Sequence, residues 1–369
     1  MAYNWQQKDW PNFKYDLEAL EELLVQYNRN LGRIEGSNNA LTQEEQVESL
    51  IELMVLEAIK TNEIEGENLN RKDVASSIRK NLGLLKHTET IKDARANGSA
   101  ELLISVRRSF FEPLSEEMLF DWHNKLMHHN NHIQKGMWRQ HSEPMQIVSG
   151  ALGKEKIHFE APPSEKIPQE MNRFIDWFNS SSPTGKSPIQ QAAIRSAVAH
   201  LYFESIHPFE DGNGRIGRAI AEKALAQTSS APQLISLSAT IEKNKKAYYE
   251  NLELAQRGNN INKWVQYFVE MVLESQQYSQ KVISFTLQKS RFFSTYQDQF
   301  NEDQLKVIKR MFNAGVEGFE GGMTAEKYMR ITKVSKATAT RHLQQLLSIK
   351  ALRQEGQGRS TRYYLNLGY

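Results

Sequence analysis

The chain has 369 residues, 39% of them hydrophobic, which is enough for two or three domains with cores of their own. Its 46 basic and 44 acidic residues leave a formal charge of +2, so no global field argues for a nucleic acid or a membrane surface, and any such partner has to be read locally. The absence of cysteine excludes disulfides, thiolate zinc sites and cysteine nucleophiles, and suits a reducing interior.

The first residues, MAYNWQQKDWPNFKYD, lack the apolar run of a signal peptide, and nowhere do about 18 apolar residues follow one another, so a cytoplasmic protein without a membrane partner is expected. A helix is predicted over about 14–32, and a second around Ile51, Met54, Val55, Ala58 and Ile59, which repeat at helical spacing. Helices follow over about 91–110 and 115–128. Two β-rich runs, 145–149 and 156–161, then flank a glycine-containing turn and end at a proline pair, which reads as a hairpin inside a helical domain. Further helices are predicted over 165–179, 189–205, 213–227, 242–257 and 261–290, with a loop at 180–188. The glycine-rich stretch 313–324 marks a boundary or a loop before a separate C-terminal unit.

The stretch HPFEDGNGRIGR, 207–218, sits between two of these helices. Pro208 ends the first, and the second resumes after Asn213, so the loop feeds into a helix N-terminus. Glycines there let backbone approach a ligand, and unpaired N–H groups with the helix dipole favour an anion. Arg215 and Arg218 share a face and can clamp more than one phosphate. Asp211 offers a hard oxygen to a Mg²⁺ that bridges phosphates, and His207 is placed to take a proton from a hydroxyl attacking phosphorus. Those parts suit transfer from a nucleoside triphosphate.

A lone Gly-x-Gly before a helix is mostly structural, but eight defined positions in order occur by chance in such a chain with probability below roughly 10⁻⁶. The stretch resembles the Fic family signature, H-x-F-x-[DE]-G-N-G-R-x-x-R, at every one of them. The resemblance implies a mostly α protein: a Fic-type helical bundle over about 111–275, whose β-hairpin is a flap that pairs with target backbone. It implies transfer of AMP from ATP to a Tyr, Thr or Ser hydroxyl of a target protein or of the enzyme itself. His207 would be the general base, Phe209 a core anchor, Asp211 the Mg²⁺ ligand, and Gly212, Asn213 and Gly214 the phosphate cradle. Arg215 and Arg218 would be the clamps, with Ile216 and Gly217 in the same nucleotide-binding stretch.

Upstream, TNEIEGEN, 61–68, has the form [ST]-x-x-x-E-[GN] that marks an inhibitory helix in many Fic proteins. The implied pair is Glu65 with Arg218, the carboxylate standing bidentately where the γ-phosphate would go, on a helix of about 45–66 within an N-terminal region 1–110. Thr61 and Gly66 would fix the helix end. Tyr249 of the Tyr248–Tyr249 pair would meet the adenine, while Gln256 stands where the family often has an asparagine. HHNNH, 128–132, reads as solvated helix-end histidines rather than a metal site, having no further ligand nearby.

After a helical linker, 276–315, residues 316–369 resemble a winged helix-turn-helix. Ser335, Lys336, Thr338, Thr340 and Arg341 lie on the polar side of its second helix, and Arg359 and Arg362 in its wing. DNA is one partner for such a unit, and protein docking or a homodimer the other. Removal of AMP, transfer of another phosphate-linked group, or nucleotide sensing by a DNA-binding regulator stay open. The intact His207 and Asn213 favour chemistry, since a sensor has no need of a base.

Overall fold

The computed structural model describes residues 2–84, 92–150, 154 and 156–367. They form two compact units: Met1–Gly36 with Leu50–Ser279, and Ser37–Ser49 with Gln280–Tyr369. Among them no helix is long and apolar enough to cross a membrane.

The first unit opens with α1 (Glu21–Asn39) and receives most of α2 (Gln43–Ile64). The helix expected from residue 14 starts later. Lys14 is held in an extended pairing, its N–H donating to the Asn259 carbonyl at 2.8 Å and its carbonyl accepting from the Ile261 N–H at 2.9 Å. α3 (Arg71–Asn81) was not legible from periodicity; its N-cap Asn70 accepts from the N–H groups of Lys72 and Asp73. α4 (Ala94–Arg108) and α5 (Glu116–Leu126) follow, then the hairpin of β1 (Gln146–Ser149) and β2 (Lys156–Glu160). Its strands pair Ile147 with Phe159 and, after a register shift, Val148 with Ile157. Phe159 is buried, while Val148 and Ile157 are exposed. The expected strands lie at the expected places, and only the turn at 151–153 and 155 falls outside the described residues.

α6 (Ile167–Ser180), α7 (Ala192–Ile206) and α8 (Asn213–Thr228) build the centre. Every residue of α7 is buried, the polar Arg195, His200 and Glu204 included. One flank packs Ile194, Ala197, Val198 and Leu201 against Leu225, Trp264 and Phe268. The other packs Tyr202 and Phe203 against Trp122, Phe174, Phe209 and Ile220. Arg195, fully buried in α7, is satisfied by the carbonyls of Phe178 and Ala224 and by Gln227, and its guanidinium stacks 4.4 Å from the Phe178 ring. The helix expected over 242–257 is two, α9 (Leu237–Lys243) and α10 (Lys245–Ala255), parted at Asn244. α11 (Asn262–Tyr296) then runs beyond the expected residue 290.

The second unit holds α12 (Glu302–Phe312), α13 (Ala325–Thr332), α14 (Lys336–Ser348) and the hairpin β3 (Leu352–Glu355) and β4 (Arg362–Leu365). The stretch read as a linker thus carries the end of α11 and all of α12, both in this core: Phe292 and Phe312 pack with Met311, Tyr328, Leu343 and Leu346. Lys333, in the left-handed region, turns the chain between α13 and α14, and Ser335 caps α14 by accepting from the Thr338 N–H. Met323 bridges Tyr363 of β4. Lys336, Thr340 and Arg341 are exposed on α14; the Arg359 side chain lies outside the described residues.

Candidate active site

α7 stops at Ile206 because His207 takes a left-handed conformation, φ 52°, and Pro208 cannot continue a helix. Arg139 holds that turn. Its Nε donates to the His207 carbonyl and its N–H to the Pro208 carbonyl, both at 2.9 Å, while its Nη groups reach Ser164 and the Pro162 carbonyl. A non-glycine residue at positive φ costs energy, and these bonds over-determine it. Phe209 is fully buried and lies flat on His123, ring centroids 4.1 Å apart. The Gly136 N–H donates to Nδ1 of His123, so the proton is on Nε2, which donates to the Asp211 carbonyl at 3.2 Å. Burial pushes the His123 imidazole down to about 4, so this prop under the loop is neutral.

Asn213 closes the loop on itself: its Oδ1 accepts from the Phe209 N–H at 2.9 Å and its Nδ2 donates to the Phe209 carbonyl at 2.8 Å. The side chain is therefore committed to shape, and only the backbone amide of Asn213 remains for a cradle. Gly212, φ 81°, supplies a conformation that L side chains avoid. Asp211 is half exposed, and its Oδ1 accepts from the Gly212 N–H and lies 3.6 Å from Arg215 Nη2. The first turn of α8 thus presents its amides beside one open carboxylate.

Onto that turn comes the end of α2. Gly66, φ 82°, reverses the chain, and the N–H groups of Glu65 and Glu67 both donate to the Asn62 carbonyl. Lys245 of α10 donates to the Ile64 carbonyl. Glu65 then reaches Arg218 at 2.7 Å through a single oxygen. The bidentate pair expected from the sequence does not form, because Thr61 takes the rest of the fork: Arg218 Nε donates to its hydroxyl at 2.8 Å and Nη2 to its carbonyl at 3.0 Å. Burial pulls the Arg218 guanidinium down, and the Glu65 carboxylate with the neighbouring tyrosines more than offsets this, so it stays charged. Arg215, 2% exposed, is held as well: its Nη1 donates to Asn62 and to Glu67, each at 3.1 Å. Glu67 was not singled out from the sequence, since an acid two residues past the motif has no spacing rule to mark it.

The other expected residues divide. Tyr249 is 39% exposed and turns its ring to Lys245, 5.9 Å away, while Tyr248 is buried with its hydroxyl 2.7 Å from Nε2 of His200. Ile216 is fully buried in the core, and Gly217 faces α7, where a Cβ would stand 2.2 Å from Oε1 of Glu204. Both let α8 lie close on α7. Gln256 is buried and donates to the Glu204 carbonyl, so it holds α7 instead of replacing a ribose contact. Among the described residues no group of three or more His, Asp or Glu is placed to hold a metal, 128–132 included.

Residues 113–225 match the Fic/DOC family, and residues 3–84 match a domain of unknown function, DUF4172. The chain carries a Fic domain. Among its relatives, the protein adenylyltransferase Fic of Nematostella vectensis is 27% identical over 148 residues, 40% of this chain and 30% of that protein. Protein adenylyltransferase fic-1 of Caenorhabditis briggsae is 30% identical over 95 residues, 26% of this chain and 17% of that one. The chain thus spans less than a third of the length of either relative. A Fic family protein from Desulfovibrio desulfuricans shares the fold with a TM-score of 0.56 at 17% identity, over 96% of this chain and 98% of that one. A Fic domain containing signaling protein from Bacteroides thetaiotaomicron does so at 0.55 and 19% identity, over 71% and 96%.

Proposed function

We propose that the protein is an adenylyltransferase that moves AMP from ATP to a Tyr, Thr or Ser hydroxyl of a target protein or of itself, and that Glu65 holds it in check. The observation that carries this reading is the gathering of His207, the amides of 212–214 and two buried arginines around the N-terminus of α8, with Glu65 bonded to Arg218 there. The names of the Nematostella and Caenorhabditis relatives support it.

In this reading the α-phosphate sits against the first amides of α8. Arg215 and Arg218, once released by Glu67 and Glu65, hold the outer phosphates. The acceptor oxygen attacks the α-phosphorus and its proton passes to His207. The bond from the α-phosphorus to the bridging oxygen breaks, and pyrophosphate leaves with the electron pair. The exposed hairpin β1–β2 gives the target segment a strand to pair with, so position rather than sequence selects the hydroxyl. Asp211 fits a Mg²⁺ that takes the rest of its shell from phosphate and water, because its half-exposed carboxylate lies beside the cradle. When bound there, the ion would neutralise charge on the phosphates.

The exposed Lys336 and Arg341 of α14 give no separate support for a nucleic-acid partner, and this reading rests on none. The test is label transfer from ATP with Mg²⁺. Label from the α position should enter protein and label from the γ position should not, and His207→Ala should lower the rate about 10²- to 10⁴-fold while ATP still binds. Entry of γ-label, or an active His207→Ala protein, refutes the reading.

A further inference from the structure

Three residues before His207, the last turn of α7 carries a carboxylate into the interior. Glu204 is 5% exposed. Its Oε2 lies 3.6 Å from Nδ1 of His207, and its Oε1 has no hydrogen-bond partner among the described residues. A buried, half-satisfied acid is costly, and an apolar residue of similar volume would serve packing better. The fold nonetheless makes room for it: a Cβ at Gly217 would stand 2.2 Å from Oε1, so the carboxylate would have to move from its place. Glycine at the eleventh position of HPFEDGNGRIGR is what lets α8 lie on this carboxylate.

The surroundings keep Glu204 ionised. Burial pushes its carboxyl up, but His207, His200 and Arg218 outweigh that and hold it below the usual carboxylate range. The titratable and charged groups that face the pair are His200 from α7, Arg218 from α8, and Tyr248 and Tyr249 from α10. Arg139 faces it too, through its bond to the His207 carbonyl. His207 reaches back to Glu204 because its left-handed conformation ends the helix.

We propose that Glu204 is the positioning residue of the general base: its carboxylate faces the Nδ1–H of His207 as an acceptor, which keeps the ring proton on Nδ1 and leaves Nε2 unprotonated and free to accept the proton of the incoming hydroxyl. The proposal rests on the adenylyl-transfer reading. As the oxygen–phosphorus bond forms, that proton moves to Nε2, and Glu204, without taking it, stabilises the imidazolium that results. A separation of 3.6 Å is that of a resting pair, and such bonds tighten once the ring is charged.

Two measurements test this. In the parent protein labelled with ¹⁵N-histidine, with His207 assigned by comparison with His207→Ala, the neutral ring should carry its proton on Nδ1; an Nε2-protonated ring overturns the proposal whether or not any variant folds. In a Glu65→Gly background, self-labelling from α-labelled ATP should fall about 10- to 10³-fold in kcat on Glu204→Gln, with KM for ATP within about threefold. Glu204→Asp, which keeps a carboxylate facing Nδ1, should recover part of the rate. A Glu204→Gln protein as fast as its background, or one changed only in KM for ATP, overturns the role. If His207→Ala is inactive while Glu204→Gln is fully active, only Glu204 is misassigned; if His207→Ala is active, adenylyl transfer itself is wrong.

Discussion

Glu65→Gly should turn a slow protein into a fast one. Glu65 lies beyond the last residue of α2, in the turn that Gly66 reverses, so the substitution leaves the helical hydrogen bonds intact. What it removes is one charge-assisted bond of 2.7 Å from a nearly buried guanidinium to a carboxylate that is about 30% exposed. Bonds to charged groups contribute about 1.5–3 kcal/mol, and each 1.4 kcal/mol is tenfold in an equilibrium constant. Productive ATP binding should therefore strengthen about 10- to 100-fold. Thr61 keeps its two bonds to Arg218 in the variant, so the arginine stays in place to meet a phosphate. Arg215 is still held by Glu67, and Glu67→Gln added to Glu65→Gly should raise binding further, by less than about tenfold because that pair is partly open to solvent. Calorimetric titration with Mg²⁺ and ATP gives the affinity, and self-labelling from α-labelled ATP the rate. Arg218→Ala in the Glu65→Gly background should lower both again. Equal affinity and labelling in the parent and Glu65→Gly, at equal thermal stability, refute the inhibitory role.

Removing the Asn213 side chain by Asn213→Ala strands the buried N–H and carbonyl of Phe209; about 2–4 kcal/mol of stability should be lost, read by denaturant unfolding, and an unchanged midpoint would mean the loop holds itself. Tyr249→Ala should raise the KM for ATP about tenfold or more with kcat little changed, as loss of a stacking surface predicts, and an unaltered KM would take the tyrosine out of the base pocket. His123 has a native value of about 4 against about 6.5 unfolded, so the unfolded chain alone takes up this proton between those values. Its contribution is whole above pH 6.5 and is lost as pH falls toward 4, about 3 kcal/mol in all. His123→Gln should flatten that part of the stability profile, and profiles of identical slope would show that another group titrates.

The loop of 207–218 was legible because its chemistry is local. Pro208, Gly212 and the two arginines act within twelve positions, and each carries its reason in its residue type. The pairing of Glu65 with Arg218 was expected only through the family resemblance, since the spacing from Thr61 to Gly66 by itself describes no more than a helix end. What stayed hidden depends on contacts between segments far apart. Arg139 is 68 residues from the carbonyl it holds at His207, and His123 is 88 from its partner at Asp211. Neither has a local pattern to mark it. α3 escaped because a helix with few apolar positions, chiefly Val74 and Ile78, shows little periodicity, although Asn70 caps it. The helix expected from residue 14 failed differently, since a backbone pairing of Lys14 with 259–261 overrides local propensity.

Gly214 and Gly217 show how far a motif can be read and where reading stops. Both stand in α8, three residues apart, and glycine weakens a helix by about 1 kcal/mol against alanine. Flexibility is no reason for either, because both have ordinary helical backbone. The structure gives each a separate cause. A Cβ at Gly214 would lie 2.5 Å from Oε1 of Glu65, and at Gly217 a Cβ would lie 2.2 Å from Oε1 of Glu204. Each glycine clears space for a carboxylate arriving from another part of the chain, Glu65 at Gly214 and Glu204 at Gly217. An oxygen that fits against the Gly214 backbone is also the atom a phosphate would present there. In the proposed reading the same bare backbone would serve Glu65 and a phosphate in turn, while the space at Gly217 is filled by Glu204. Alanine at 214 should accordingly weaken both Glu65 and ATP, whereas alanine at 217 should disturb His207 through Glu204 and spare the affinity for nucleotide. Calorimetric ATP binding beside the labelling rate separates the two, and matching losses of affinity in both variants would show that the two glycines answer to one cause.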